Sequence, residues 1–537
     1  MEAKDKNGLT VLAISVEEKN AWAVEILLKY GANVEAIGSS RTPILMEAVV
    51  SGTEEIVRLL LEKRASANAR DNTGTTALIR SIQMRQKAIA LMLVQHGANI
   101  NATPASDGKT ALLEAIATGQ INVVRMLVER GAHLEVKDSN GMTALLKAIK
   151  LKLVATAQLL IDAGADTNAT CDGSTSLFEA IVLGRQDLVK SLIQRGANLE
   201  FRYAEGMTAL IKSIRLKQQA IVNLIVEGGA KIEGKDGMTA LVDAVTSEQD
   251  DIVRLLLAKG ADANAKDENG LPLLISAVRL RKTELANLLL LHGAHADATA
   301  NDGSTALIES VSSAQVGIVR SLVENGANVN KRGRNGTTGL IEAAKLADFA
   351  IAKLLIERGA ELESKGQDGA TALIKALEAR QEMMAMFLIG KAADVEAKSN
   401  GTTALIIAAM WGNEVIVKLL LDRGAQVDSR DYHQSTALMQ AAKCGHETVA
   451  LLLVRRGANI ETTNDSKTTP LMYAAAGGCL QLTRLLLEKG VKLEEVNNNG
   501  ESALSLARNA GYRELKKLIK EAIQRKRPQR WYELLRR

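Results

Sequence analysis

Aromatic side chains are almost missing from this sequence: four Phe, six Tyr and three Trp amount to 2% of 537 residues. A β-sandwich, an aromatic-lined pocket and a base-stacking RNA reader all draw on such residues, so none of them is the expected theme. Proline is scarce too, with five in the whole chain. The three cysteines, Cys171, Cys444 and Cys479, are odd in number and too far apart for a Cys-x-x-Cys pair. They argue against a disulfide framework and read as small buried hydrophobes. No run approaches 18 uncharged apolar residues, and residues 1–8 offer no apolar stretch for a secretory signal. An intracellular protein is expected, cytoplasmic or nuclear.

What is present is aliphatic. Apolar residues are 47% and charged residues 24%, an ordinary balance for a folded protein, so Ala, Leu, Ile and Val must fill the interior. The net charge of +5 belongs to the C-terminus. Residues 513–537 hold ten Lys/Arg against three Glu, and the remaining 512 residues are close to neutral. The basic balance therefore describes a tail and not the body.

Self-similarity dominates the chain. A Gly-x-Thr-Ala-Leu phrase returns every 31 to 34 residues, with its threonine or replacement at Thr10, Thr42, Thr76, Thr110, Thr143, Thr175, Thr208, Thr239, Pro272, Thr305, Thr338, Thr371, Thr403, Thr436, Thr469 and Ser502. About 21 residues after most of these comes a second phrase close to Leu-Leu-x-x-Gly-Ala, as at Gly97, Gly131, Gly164 and Gly260. Threonine is a good N-cap, so a short helix is expected just after it. The second phrase closes an apolar-periodic segment on a glycine suited to the left-handed position after a helix. Between glycine and threonine lies a stretch such as Asp262-Ala-Asn-Ala-Lys-Asp-Glu-Asn-Gly, rich in turn formers and too short for a third helix. A helix–turn–helix–loop unit of this size cannot bury its own apolar face and has to stack on its neighbours.

This pattern resembles the ankyrin repeat, over about 510 residues and sixteen copies. The resemblance implies an all-α solenoid, an ankyrin superhelix with short β-hairpin or loop fingers, spanning residues 1–512, followed by a basic C-terminal helix or tail over 513–537. The chain departs from the family pattern in three ways. The histidine after Thr-Pro-Leu is replaced by aliphatic or Met residues such as Ile79, Leu113, Leu146 and Met439, and the family proline survives in phase only at Pro43 and Pro470. Arg64 and Ala392 stand where a glycine with positive φ is wanted, at a cost of about 1 kcal/mol each. The first unit also starts almost directly at its hairpin, which suggests that it frays or that the sequence is part of something longer.

Signatures of catalysis are missing: there is no P-loop, no His-Glu-x-x-His, no Gly-x-Ser-x-Gly and no kinase set. No enzyme activity, cofactor or metal is expected. The six histidines are scattered, and even the close pair His292 and His295 lacks a third ligand nearby and reads as surface. His446 matches the family's Gly-His turn.

A second period, of two repeats, runs along the first helices. Four residues after the threonine the charge alternates through Arg80, Glu114, Lys147, Glu179, Lys212 and Asp243, which sets opposite charges on neighbouring units. Seven to ten residues after it, odd-numbered units carry Arg85, Lys150, Lys152, Arg215, Lys217, Arg279, Arg281, Lys282 and Lys345, where even units have Gly119, Gly184, Glu248 and Ala314. The resemblance implies that this part of the repeat lines a concave groove that meets partners. The row is then either a solvated, self-compensating face or a grip on an acidic peptide or acidic protein surface. The tail residues Arg525, Lys526, Arg527 and Arg530, with Trp531 and Tyr532, form either a targeting signal or the basic cap of the last repeat. The functional expectation is a monomeric, non-enzymatic scaffold or adaptor for protein partners. Alternatives are the regulatory or targeting arm of a larger enzyme or channel, or a polyanion- or RNA-binding module; the near-neutral body disfavours nucleic acid.

Overall fold

A computed structural model of the chain describes residues 2–103, 108–203, 206–232 and 239–534, with side chains as far as Arg525. The chain divides into two compact units, Met1–Ala261 and Asp262–Arg537, built in the same way. Sixteen helix pairs follow one another, one for each of the sixteen threonine phrases. Repeats are numbered here by those phrases.

Repeat 4 shows how the sequence makes a unit. Thr110 is extended at φ −74° and ψ 165°, and its hydroxyl accepts a hydrogen bond from the Leu113 amide at 3.3 Å. That satisfies one of the amides the first turn leaves open. The first helix, Ala111–Ala117, buries Ala111, Leu112, Leu113, Ala115 and Ile116. Gly119, at φ +69°, then reverses the chain. The second helix, Ile121–Glu129, buries Val123, Val124 and Leu127 and stops before Gly131 at φ +82°. Helices of seven and nine residues are too short to persist alone in water. They persist because first helices pack on first helices and second on second from one repeat to the next within each unit, each buried Leu or Ile contributing roughly 1.5–3 kcal/mol.

The connecting fingers are tight. In repeat 3 the Asp71 carboxylate accepts from the Thr73 and Thr75 amides at 2.9 and 3.0 Å, while the Asp71 amide donates to Thr75 O at 3.0 Å. This is the local bonding that makes Asp a turn former. The same Asp-x-x-Gly tip recurs at Asp5, Asp138 and Asp267. Among the described residues, two fingers close into two-residue antiparallel strands, Thr170–Cys171 with Ser174–Thr175 and Lys398–Ser399 with Thr402–Thr403.

Within each unit, among the described residues, a ladder of hydrogen bonds ties repeats to their neighbours at the base of the fingers. Glu35 accepts from the Ser66 amide (2.7 Å), Asn68 from Asn99, Asn101 from His133, Glu135 from Asp166 and Asn168 from Asn198. The second unit repeats the pattern with Asn264 and His295, Asp297 and Asn328, Asn330 and Glu361, and Glu363 and Asp394. A second link starts from the residue just before the second helix. Gln218 donates to Ile181 O at 2.9 Å and Gln315 to Val278 O at 2.9 Å, in each case the last turn of the preceding first helix. His446 does the same job toward Met410 O at 3.0 Å.

Three sequence expectations meet the structure here. Arg64 and Ala392 do adopt left-handed backbone, at φ +67° and +66°. Cys171 and Cys479 are buried, but Cys444 is exposed; it caps the helix Ala437–Lys443, and the end of a first helix faces water. The tail is helical over Arg513–Leu534 and buries Leu515 and Ile519 as the second helix of repeat 16. Arg525 is exposed on it, while the side chains of Lys526, Arg527 and Arg530 lie outside the described ones.

Candidate functional site

The face made by the fingers and the first helices carries most of the charged groups singled out by the sequence. Their pairing differs from the simple alternation of neighbours. Two of the cations four residues after the threonine fold back on their own finger: Arg80 holds Asp71, and Lys147 Nζ sits 2.9 Å from Asp138 Oδ2. The acids at that position are held by the preceding repeat's cation from one turn later. Lys150 Nζ lies 3.9 Å from Glu179, Arg215 Nε 3.1 Å from Asp243 and Arg279 Nη2 2.8 Å from Glu309. The reason is reach: a side chain at the helix end leans toward the next repeat, and a cation there also meets the negative end of the helix dipole.

Burial sharpens some of these pairs. Burial opposes the charge on Asp138, yet the Lys147 ammonium and the Met142 and Asn140 amides outweigh it and hold the carboxyl below the usual range. Asp71 is lowered in the same way against burial, by Arg80 and by Thr73 and Thr75. In the second unit Lys375 bonds Asp368 at 2.6 Å and Glu378 at 2.7 Å, and Lys345 bonds Glu342 at 3.2 Å.

Of the nine candidate cations, Lys150, Arg215, Arg279 and Lys345 are thus engaged inside the array, and Lys282 is not free either. The other four share a feature the sequence did not reveal. Arg85, Lys152, Lys217 and Arg281 occupy the turn between the two helices of their repeats at φ +56° to +60°. They are exposed, and among the described residues their side chains make no ion pair. The even repeats put Gly119 and Gly184 at the same place, at φ +69° and +68°. The signal was available: a lysine or arginine aligned with glycine at a helix–helix turn marks a strained backbone.

Depressions lie between fingers and first helices. One, in the first unit, is lined by Met46, Val50 and Met84 together with Glu17, Glu47 and Arg80. Glu47 is raised above the usual carboxyl range, chiefly by burial and further by Glu17, against the pull of the Ser40 amide it accepts from at 3.1 Å. Another, in the second unit, is lined by Ile341, Glu342, Lys345, Asp368 and Lys375. Scarce as aromatics are, Phe178 and Tyr203 stack with centroids 3.6 Å apart, Phe201 packs edge-on at 5.0 Å, and Lys212 sits over the Phe178 ring. Burial pushes the Tyr203 hydroxyl up to about 12. His292 and His295 are both exposed, and among the described residues no group of three His, Cys, Asp or Glu is placed to hold a metal ion. No helix among them is long and apolar enough to cross a membrane.

The family model for ankyrin repeats (3 copies) matches residues 45–138, 131–203, 177–267, 259–333, 387–464 and 438–527. Over 97 residues the chain is 38% identical to a putative ankyrin repeat-containing protein of Treponema pallidum (strain Nichols), covering 18% of this chain and 33% of that one. It is 32% identical over 105 residues to the B-cell lymphoma 3 protein homolog of Mus musculus, covering 19% and 23%. The matched stretch thus spans about a third or less of these relatives. The crystal structure of the ankyrin repeat domain of Bcl-3 aligns at 28% identity and a TM-score of 0.36, covering 41% of this chain and 99% of that one.

Proposed function

Because this chain belongs to the ankyrin-repeat family, we propose that it is a non-enzymatic scaffold or adaptor that holds protein partners on the face formed by its fingers and first helices. One observation carries this reading. The depressions on that face place apolar side chains beside charged ones, Val50 and Met84 with Glu17 and Arg80 in the first unit and Ile341 with Lys345 and Lys375 in the second. An apolar floor with charged edges is what an interacting polypeptide can desolvate and orient against. The inter-repeat bonds meanwhile maintain the fold away from these side chains.

The experiment is quantitative capture by the full chain from cell extract, compared with the variants Val50→Glu and Lys345→Glu. Both positions are exposed, so helical content should be unchanged while recovery of specific partners falls. Identical partner recovery by both variants would remove the assignment to this face.

A further inference from the structure

The four turn cations do not stand alone. In the first unit each follows an exposed apolar residue that caps its first helix: Met84 before Arg85, Leu151 before Lys152 and Leu216 before Lys217, at 43%, 47% and 40% exposure. The intervening repeats make the same turn with different residues. Thr118 folds its hydroxyl onto Glu114 O at 2.8 Å and precedes Gly119. Leu183 of repeat 6 keeps the apolar type but is only half-buried against the stack and precedes Gly184.

Neither half of the doublet is required by the fold. Glycine serves the turn in repeats 4 and 6, so a long cation at positive φ in repeats 3, 5 and 7 is strain with no structural return at that site. Left-handed residues other than glycine also serve this turn at Glu248, Ala314 and Ala347, at φ +54° to +59°, so what marks repeats 3, 5 and 7 is the exposed cation beside an exposed apolar residue. Leu151 and Leu216 could likewise be small or polar without loss to the core, since nearly half their surface already faces water.

We propose that repeats 3, 5 and 7 form a docking strip along the helix–helix turns, taking an extended acidic peptide in which an apolar residue beside a carboxylate recurs at the two-repeat spacing. The inference rests on the protein-interaction reading above and names its partner's chemistry. Each Met/Leu would cover an apolar partner side chain while the adjoining Arg85, Lys152 or Lys217 meets its carboxylate. Charge complementarity fixes the sign: these cations are unspent, whereas Lys150 and Arg215 beside them are consumed by Glu179 and Asp243. Packed helices advance about 8–10 Å per repeat, so doublets stand roughly 16–20 Å apart. An extended chain rising about 3.3 Å per residue covers that in about five to six residues. An anionic membrane is the less favoured occupant, because a lipid surface has no use for a fixed step.

The test uses the full chain and a labelled synthetic peptide with three Glu-Leu pairs, each separated by four Gly/Ser residues. The control has the same composition with all Glu and Leu in one block. By fluorescence anisotropy the spaced peptide should bind at least tenfold more tightly than the control. The triple variant Arg85→Gly, Lys152→Gly, Lys217→Gly should lose that binding by at least tenfold. Its melting temperature should not fall, since glycine relieves the turn, so lost binding cannot be blamed on lost folding. Equal binding of the two peptides, or undiminished binding by the variant, overturns the strip. So does capture of the parent chain, but not the variant, by phosphatidylserine vesicles when the peptide fails to bind. If partners taken from extract remain on the triple variant yet leave the Val50→Glu variant, the strip falls while the scaffold reading stands.

Discussion

Asn168 offers the sharpest test of how neighbouring repeats are held together. Its Oδ1 accepts the Asn198 amide at 2.7 Å and its Nδ2 donates to Gly196 O at 3.1 Å, so one side chain brackets the end of the next repeat's second helix. Asn168→Ala removes both bonds. Each is exposed, which places it at the lower end of the 0.5–1.5 kcal/mol that a hydrogen bond typically contributes. The pair should therefore amount to about 1–2 kcal/mol, or roughly a 5- to 30-fold change in a local opening equilibrium. Because a repeat array opens locally before it unfolds globally, the assay is native-state hydrogen exchange over residues 196–200 read by mass spectrometry. Asn168→Asp keeps the acceptor, as Glu135 and Glu200 do at adjoining junctions, and loses only the donor. Its exchange should fall between the parent and the alanine variant. Parent-like protection in Asn168→Ala would refute the idea that these side chains couple the repeats.

Glycine at the two misfit positions should stabilise the array: Arg64→Gly and Ala392→Gly each relieve a left-handed non-glycine residue, worth about 1 kcal/mol, and urea unfolding should shift to higher concentration; no shift would mean the strain is absorbed elsewhere. Asp138 contributes to acid sensitivity. Its folded carboxyl is depressed, so its contribution is complete above the ordinary Asp value of about 3.9 and disappears as pH falls through the lower folded value. In Asp138→Asn the melting temperature should therefore change less between pH 5 and pH 2 than in the parent, and an unchanged acid slope would show that the Lys147 pair is not coupled to folding.

The repeat was legible because its phrases are statements about backbone: a threonine that caps, a glycine that reverses the chain, and apolar residues at helical spacing. What the sequence did not disclose depends on where side chains reach. The alternation of Arg80, Glu114 and Lys147 suggested neighbours in register, but the pairs run from helix end to the next repeat or back to the finger. Gln218 and Gln315 looked like ordinary surface residues, although their recurrence just before second helices was a visible clue to their repeat-to-repeat bonds. The acceptors of the ladder stood four residues after the closing glycine, at Glu35, Asn101 and Glu135, and were hidden only because acidic and amide residues are common in loops. Cys444, expected to be buried, is exposed, because a small apolar residue tells little about burial when it falls on a helix cap.

In the ladder the acceptor always comes from the earlier repeat and the amide from the later one. Each of these modules therefore carries a socket on one side and a plug on the other, and a tandem copy inserted within a unit finds both fittings already made. Shortening leaves a different group open at each end: removing the downstream module frees a carboxylate or amide side chain, and removing the upstream one frees a backbone N–H, both at the surface. Array length is a quantity such a chain can change by simple copying, without redesigning a single joint.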